Sequence, residues 1–176
     1  MKISPSLVEE IKRENVVLFL GAGASMGATD CAGNAMYGVS SLIEKLSDRF
    51  LGGEAKSFSL ATVSELAMSE HDPIAVQIFI KKLFEDFEPA DFHLKISLFR
   101  WKSIYSTNYD LIIEKAYSKV GDAPKKLVPI YSSTDRIDSL IATSSDLPYV
   151  KLHGCITKIS ETRSSINFNN RPIRVP

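Results

Sequence analysis

The feature that most constrains this chain is a run of five apolar residues, Val16–Leu20, that leads directly into Gly21-Ala-Gly-Ala-Ser25. An uninterrupted apolar run of this length predicts a central strand that is buried on both faces, as in a parallel sheet. The small residues after it predict a tight turn, and Gly21 and Gly23 permit backbone angles that other residues resist. Glycines also let a ligand approach the main chain closely, so the segment is a candidate binding loop.

Such a loop forms an anion site when a helix follows it, because successive backbone N–H groups and the positive end of the helix point at the same place. A pyrophosphate suits this chemistry, and Ser25 can add a hydroxyl donor. The glycines at 21, 23 and 27 depart from GxGxxG, and no acidic residue ends a second strand, which disfavours a hydride-transfer enzyme. No Gly-Lys-Ser/Thr follows the loop, which excludes a P-loop hydrolase. A tight turn without a ligand remains the alternative.

The rest of the hydrophobic pattern predicts alternating strands and helices in one domain over residues 1–176. A helical insertion at about 35–99 separates the first strand from a strand that precedes Asn108, and further strands and helices follow. This order predicts an α/β fold, a Rossmann-like and mostly parallel sheet flanked by helices. Full doubly wound sheets usually have more strands, so we expect the sheet to be incomplete at the C-terminus.

Polar residues stand at two further strand ends. Thr107, Asn108 and Asp110 follow a strand pattern at 103–106, and His153 lies between an apolar stretch and a glycine. Ligands of open α/β sheets bind beyond the carboxyl ends of the strands, so these side chains would face a site. Histidine titrates near neutrality and can act as a general base. The alternatives are a helix cap for the Asn and Asp residues and a structural role for a lone histidine.

Composition narrows the class of protein. The chain has 21 basic and 21 acidic residues, so no global field favours nucleic acid or an anionic membrane. Its only N-terminal apolar run is too short for a signal peptide or a membrane span, and we expect a cytoplasmic protein. Cys31 and Cys155 are too few and too far apart for a zinc ribbon or a disulfide framework, and Cys155 receives no functional interpretation.

The three polar turns, in this order, resemble the sirtuin family: the Gly-Ala-Gly-x-Ser loop, Thr107-Asn-Tyr-Asp110 and Lys151-Leu-His-Gly154. They are more similar still to sirtuin-like NAD-cleaving domains of bacterial anti-phage defence proteins, over about residues 14–155. His93, in Phe-His-Leu, is also typical of the family, and we assign it a structural role. The zinc ribbon of the deacylating sirtuins has no counterpart here, and the gap from Asn108 to His153 is longer than in those enzymes. Both departures favour NAD hydrolysis over deacylation.

The resemblance implies NAD as the substrate, no metal, and a set of roles for residues of this chain. Asn108 and His153 are the implied catalytic pair: Asn108 orients a water or a ribose hydroxyl, and His153 acts as a base or hydrogen-bond partner toward the ribose. Asp110 contacts the nicotinamide amide. The implied NAD-binding residues are Gly21, Ala22, Gly23, Ala24, Ser25, Thr107, Asn108, Asp110 and His153.

The resemblance also implies NAD depletion in anti-phage defence, which must be held off until infection. We therefore expect regulation through a homo-oligomer, a partner protein or a further domain. Two alternatives stay open. One is a module that senses NAD or ADP-ribose without turnover, as part of a larger assembly. The other, less favoured, is an NAD-dependent protein deacylase.

Overall fold

The computed structural model describes residues 4–131 and 137–158. Within these ranges the strands form one all-parallel sheet in the order β1-β2-β4-β3. The α/β prediction is therefore confirmed. The strands are β1 (Val17–Leu20), β2 (Ser103–Ser106), β3 (Lys126–Ile130) and β4 (Asp146–Lys151).

Helices surround this sheet, and most of them lie between β1 and β2 in the chain, as the predicted insertion requires. The helices are α1 (Pro5–Lys12), α2 (Val39–Phe50), α3 (Leu60–Glu70), α4 (Pro73–Phe84), α5 (Asp91–Ile96), α6 (Ile112–Lys119) and α7 (Ile137–Leu140). Local sequence explains several boundaries. The Ser59 hydroxyl accepts a hydrogen bond from the Thr62 N–H at the start of α3, and Asp72 caps α4 in front of Pro73. No helix of the described residues is long and apolar enough to cross a membrane.

Among the described residues, three hydrophobic clusters form the core; the smallest contains Ala28, Phe87 and Ile112, and two are larger. One lies within the helical insertion and includes Leu42, Val63 and Ile80. The other lies between the sheet and α6 and includes Leu20 and Ile104. Residues that follow the strand ends pack against the first cluster, among them Tyr109 after β2 and Ile156 after β4. The carboxyl edge of the sheet is therefore the junction between the two parts of the domain.

The position of β1 differs from the prediction of a central strand. β1 lies at the edge of the described sheet, and the side chains of Val17 and Phe19 are 50% and 62% exposed. An apolar run indicates that its residues tend to be buried, but it does not indicate whether other strands pair with it on one side or on both. The expected incompleteness of the sheet remains a prediction, because the polar tail at 160–176 lies outside the described residues.

Candidate active site

The glycine-rich loop forms a short 3-10 helix, Ala22–Ser25, directly after β1. Gly21 and Gly23 do not use the conformational freedom that glycine permits. Gly21 is extended (φ −103°, ψ −174°), and neither glycine has a positive φ. The left-handed conformation falls on Gly27 (φ +89°), where a Cβ atom would lie 2.9 Å from Cε1 of Phe92. A Cβ atom at Gly21 or Gly23 would meet no protein atom within 4 Å, so these two glycines leave open space in front of the main chain.

A buried histidine from α5 fixes this loop from behind. His93 is fully buried, and its Nε2 lies 2.7 Å from the carbonyl oxygen of Ala24. Its Nδ1 accepts a hydrogen bond from the Ala90 N–H at 2.9 Å, so the ring proton is on Nε2 and is donated to Ala24. The structural role predicted for His93 is confirmed.

Asn108 lies beyond the end of β2, and its side-chain amide is held in one orientation. Nδ2 donates to the carbonyl oxygen of Gly21 at 3.0 Å and to Oγ of Ser25 at 2.8 Å. The backbone N–H of Asn108 donates to Oγ of Ser106 at 3.0 Å. Both amide hydrogens are therefore committed to the glycine loop, and no described residue donates to Oδ1. That oxygen is left as a fixed hydrogen-bond acceptor.

Ser25 and Asp110 complete a directed chain of hydrogen bonds. The Ser25 hydroxyl accepts from Asn108 and donates to Oδ2 of Asp110 at 2.6 Å. The other carboxylate oxygen of Asp110 accepts from the N–H of Ile112, the first residue of α6, at 3.0 Å. Asp110 therefore satisfies a main-chain donor at the start of α6, although the N-cap position itself is Leu111. Because its hydroxyl hydrogen is engaged inside the protein, Ser25 is a positioning group here, not the free donor that the loop pattern suggested.

His153 occupies the turn after β4. Gly154 beside it has φ +82°, a conformation that few residues other than glycine adopt, and this explains the glycine that follows the histidine. The imidazole is partly buried, and burial lowers its pKa below the ordinary value of 6.5. A lowered pKa keeps the ring neutral at neutral pH, which suits a proton acceptor.

Residues from three strand ends and from the helical insertion enclose one cavity of about 520 Å³. This volume lies within the roughly 300–1,000 Å³ range of small-molecule sites. Of the residues predicted from the sequence, the cavity brings together Ala22, Gly23, Ser25, Thr107, Asn108, Asp110 and His153. Two do not line it: Gly21 and Ala24 act through their carbonyl groups, which bind Asn108 and His93.

The apolar wall of the cavity comes mostly from the helical insertion, and sequence reasoning missed it. Its lining residues are Met36, Tyr37, Gly38, Val39, Leu60 and Phe84 from the insertion, Met26 from the loop after β1, and Tyr109 from the turn after β2. The start of α2 is part of this wall, and its N-cap is Gly38. No local signal marks these residues, because their apolar pattern serves the helix core and the cavity alike.

A buried ion pair lies beneath the site, and sequence reasoning, which named Lys151 only as part of a motif, gave neither of its residues a role. Lys151, the last residue of β4, is completely buried and pairs with Glu114 of α6 at 2.9 Å. Burial raises the pKa of the Glu114 carboxyl, while the Lys151 ammonium beside it opposes the rise. The sequence did offer a signal, a lysine at the end of an apolar strand pattern. Because lysine is rarely buried without a partner, such a lysine indicates a buried ion pair.

The fold is that of an α/β protein with a parallel sheet, and a cavity of small-molecule size lies at the carboxyl edge of this sheet. Residues 102–171 match the family model of the SIR2-like domain. The match includes Asn108, Asp110 and His153 and supports similarity to sirtuins, a family whose members bind NAD and are typically NAD-dependent enzymes. A search of curated proteins finds no significant match.

Proposed function

We propose that this chain is an NAD hydrolase that cleaves the nicotinamide–ribose bond. The reaction converts NAD and water to nicotinamide, ADP-ribose and a proton. The observation that carries the proposal is the fixed amide of Asn108, which lines the same cavity as His153 and leaves Oδ1 as an acceptor. The similarity of residues 102–171 to the SIR2-like domain supports NAD as the ligand.

In this proposal the diphosphate lies at the glycine loop, against Ala22 and Gly23. The cavity has no lysine or arginine among its described lining residues. Main-chain N–H groups must therefore supply the positive potential, and the first turn of α2, which follows the N-cap Gly38, can add to it. The open space at Gly23 allows a phosphate to approach the backbone.

Bond cleavage passes through an oxocarbenium-like ribose as the cationic nicotinamide departs. Oδ1 of Asn108 orients the attacking water by accepting one of its hydrogens, and the neutral imidazole of His153 accepts a proton or a hydroxyl hydrogen from the ribose side. Both oxygens of Asp110 already have protein donors. We therefore assign Asp110 chiefly to holding Ser25 and Asn108 in place, with any contact to nicotinamide made in addition.

The direct test is nicotinamide release from NAD by the purified chain, compared with Asn108→Ala and His153→Ala. Each substitution is expected to reduce the rate at least about 100-fold, the usual contribution of a positioned acid or base. Asn34→Ala and His71→Ala are matched controls, because both residues are exposed and neither lines the cavity. Turnover that survives both site substitutions contradicts the assignment.

The same assay separates the competing functions. Tight NAD binding without product over hours would identify a sensing module, and deacylation of an acylated peptide in proportion to nicotinamide released would identify a deacylase. If hydrolysis is observed, the resemblance to defence proteins leads us to propose NAD depletion during phage infection. Control by oligomerisation or by a partner is part of that proposal, and the mass of the native particle with and without NAD tests it.

A further inference from the structure

The ammonium group of Lys151 lies where the turns after β2 and β4 meet. Its side chain has no solvent exposure, and the three acceptors around Nζ match the three hydrogens of an ammonium group. Nζ donates to the main-chain carbonyl of Asp110, to Oε1 of Glu114 at 2.9 Å and to Sγ of Cys155 at 3.4 Å. The ring of Tyr149 lies below it, with 5.8 Å from Nζ to the ring centroid.

These acceptors come from separate segments that carry the site. Asp110 ends the Asn108 turn, Glu114 lies in the first turn of α6, and Cys155 follows His153 by two residues. Main-chain bonds also join the two turns: the Leu152 N–H donates to Ser106, and the Ile156 N–H donates to Tyr109. The Lys151 side chain also links the two turns, because its ammonium group binds the Asp110 carbonyl after β2 and the Cys155 sulfur after β4.

We infer that Lys151 is a positioning residue for the Asn108–Ser25–Asp110 chain. Its bond to the Asp110 carbonyl orients that peptide unit, and thereby the carboxylate that receives the Ser25 hydroxyl. Ser25 in turn holds the amide of Asn108. On the other side, Cys155 anchors the segment that leaves His153. As a role in catalysis this inference rests on the proposed NAD hydrolysis, but the geometry that it describes can be measured without substrate.

Lys151→Met alone is a poor test, because it leaves Glu114 buried without its cation. The double variant Lys151→Met/Glu114→Leu removes both charges and fills the space with apolar groups. If Lys151 positions the site, this variant folds, keeps KM for NAD within about threefold, and loses kcat by about 10- to 100-fold, the scale expected for a displacement near 1 Å. Lys125→Met is the matched control, because Lys125 is also buried and pairs with Glu14 at 2.6 Å, away from the cavity. That control is expected to lose stability and to keep kcat.

The second readout is the NMR signal of the Asn108 side-chain amide in the substrate-free, nitrogen-15-labelled chain. We expect it to move and to exchange faster with water in the double variant, and to stay in place in Lys125→Met. Unchanged Asn108 signals in a folded double variant overturn the inference, whatever the turnover. If the double variant does not fold, Lys151→Gln/Glu114→Gln is read in the same way, because it also removes both charges and shortens the side chain that binds the Asp110 carbonyl. A wild-type chain that releases no nicotinamide refutes the proposed function, while the NMR comparison still decides the role of Lys151.

Discussion

Ser25 and Asp110 lie 85 positions apart in the chain and share a buried hydrogen bond of 2.6 Å. This bond joins the loop after β1 to the turn after β2 across the top of two adjacent strands. Because the same hydroxyl accepts from Asn108, one serine sets the orientation of two other polar side chains.

Ser25→Ala is expected to lower nicotinamide release by about 10- to 100-fold, since Asn108 loses an acceptor and can reorient. It is also expected to lower the free energy of unfolding by about 1–3 kcal/mol, because a carboxylate oxygen of buried Asp110 loses its donor. Ser64→Ala is the control: Ser64 is buried, and its hydroxyl has no hydrogen-bond partner among the described residues. Urea unfolding and turnover measure the two effects. Full activity in Ser25→Ala would refute the positioning role.

Gly23→Ala is expected to separate ligand binding from folding. The added methyl group meets no protein atom and needs no unusual φ, so the melting temperature should change little. The methyl group enters the space where we place the diphosphate, so NAD affinity should fall at least about tenfold, which is about 1.4 kcal/mol. Calorimetric titration with NAD measures this loss.

Gly27→Ala provides the contrast with Gly23→Ala. A Cβ atom there is strained by the positive φ and by Phe92 at 2.9 Å, so this variant should be destabilised by about 1–3 kcal/mol. Unaltered NAD affinity in a folded Gly23→Ala protein would exclude the loop as the phosphate site.

The pH dependence of kcat/KM is expected to show an acid limb with its midpoint below 6.5. Burial lowers the pKa of His153, so the neutral form that accepts a proton persists to a more acidic pH than in an exposed histidine. Activity is therefore retained as pH falls to 6.5 and is lost only as His153 becomes protonated below that value. His153→Gln should remove this limb from the residual activity. An acid limb that persists in the variant must belong to another group.

His93→Phe is expected to lower the free energy of unfolding by about 1–3 kcal/mol, because the partly buried Ala24 carbonyl and Ala90 N–H lose their partner. His71 offers a matched comparison: its Nε2 also contacts a carbonyl, that of Phe50 at 2.7 Å, but the residue is exposed. His71→Phe should therefore have a much smaller effect in the same urea titration. Equal losses in the two variants would show that burial of the His93 contact does not matter.

The class of fold and the polar residues that line the cavity could be predicted from the sequence, but the hydrogen bonds among these residues could not. Parallel strands bring their carboxyl ends to one edge, so Thr107, Asn108 and His153 could be assigned to one site from strand order alone. The partner of Ser25 could not be predicted, because Asp110 is remote in the chain and the loop pattern gives Ser25 an equally good use as a ligand donor.

Other features depend on contacts that no local pattern encodes. Gly21 and Gly27 both lie in the small-residue segment, and the path of the folded chain, which the sequence does not show, gives the positive φ to Gly27. The edge position of β1 reflects which strands pair with it. The apolar cavity wall and the buried Lys151 arise in the same way, from the packing of the helical insertion and α6 against the strand ends.

The placement of the helical insertion between two adjacent strands has a consequence for folding kinetics. β1 and β2 are neighbours in the sheet, but the chain segment that contains α2 to α5 separates them in the sequence. This long segment must close into a loop before β1 and β2 can form their first hydrogen bond. Closing such a long loop costs chain entropy, and this cost is offset only when the contacts between the two strands form. A chain of this topology is therefore expected to refold slowly. The polar residues that line the cavity, among them Ser25, Asn108 and Asp110, would then come together late, after the helices have already associated.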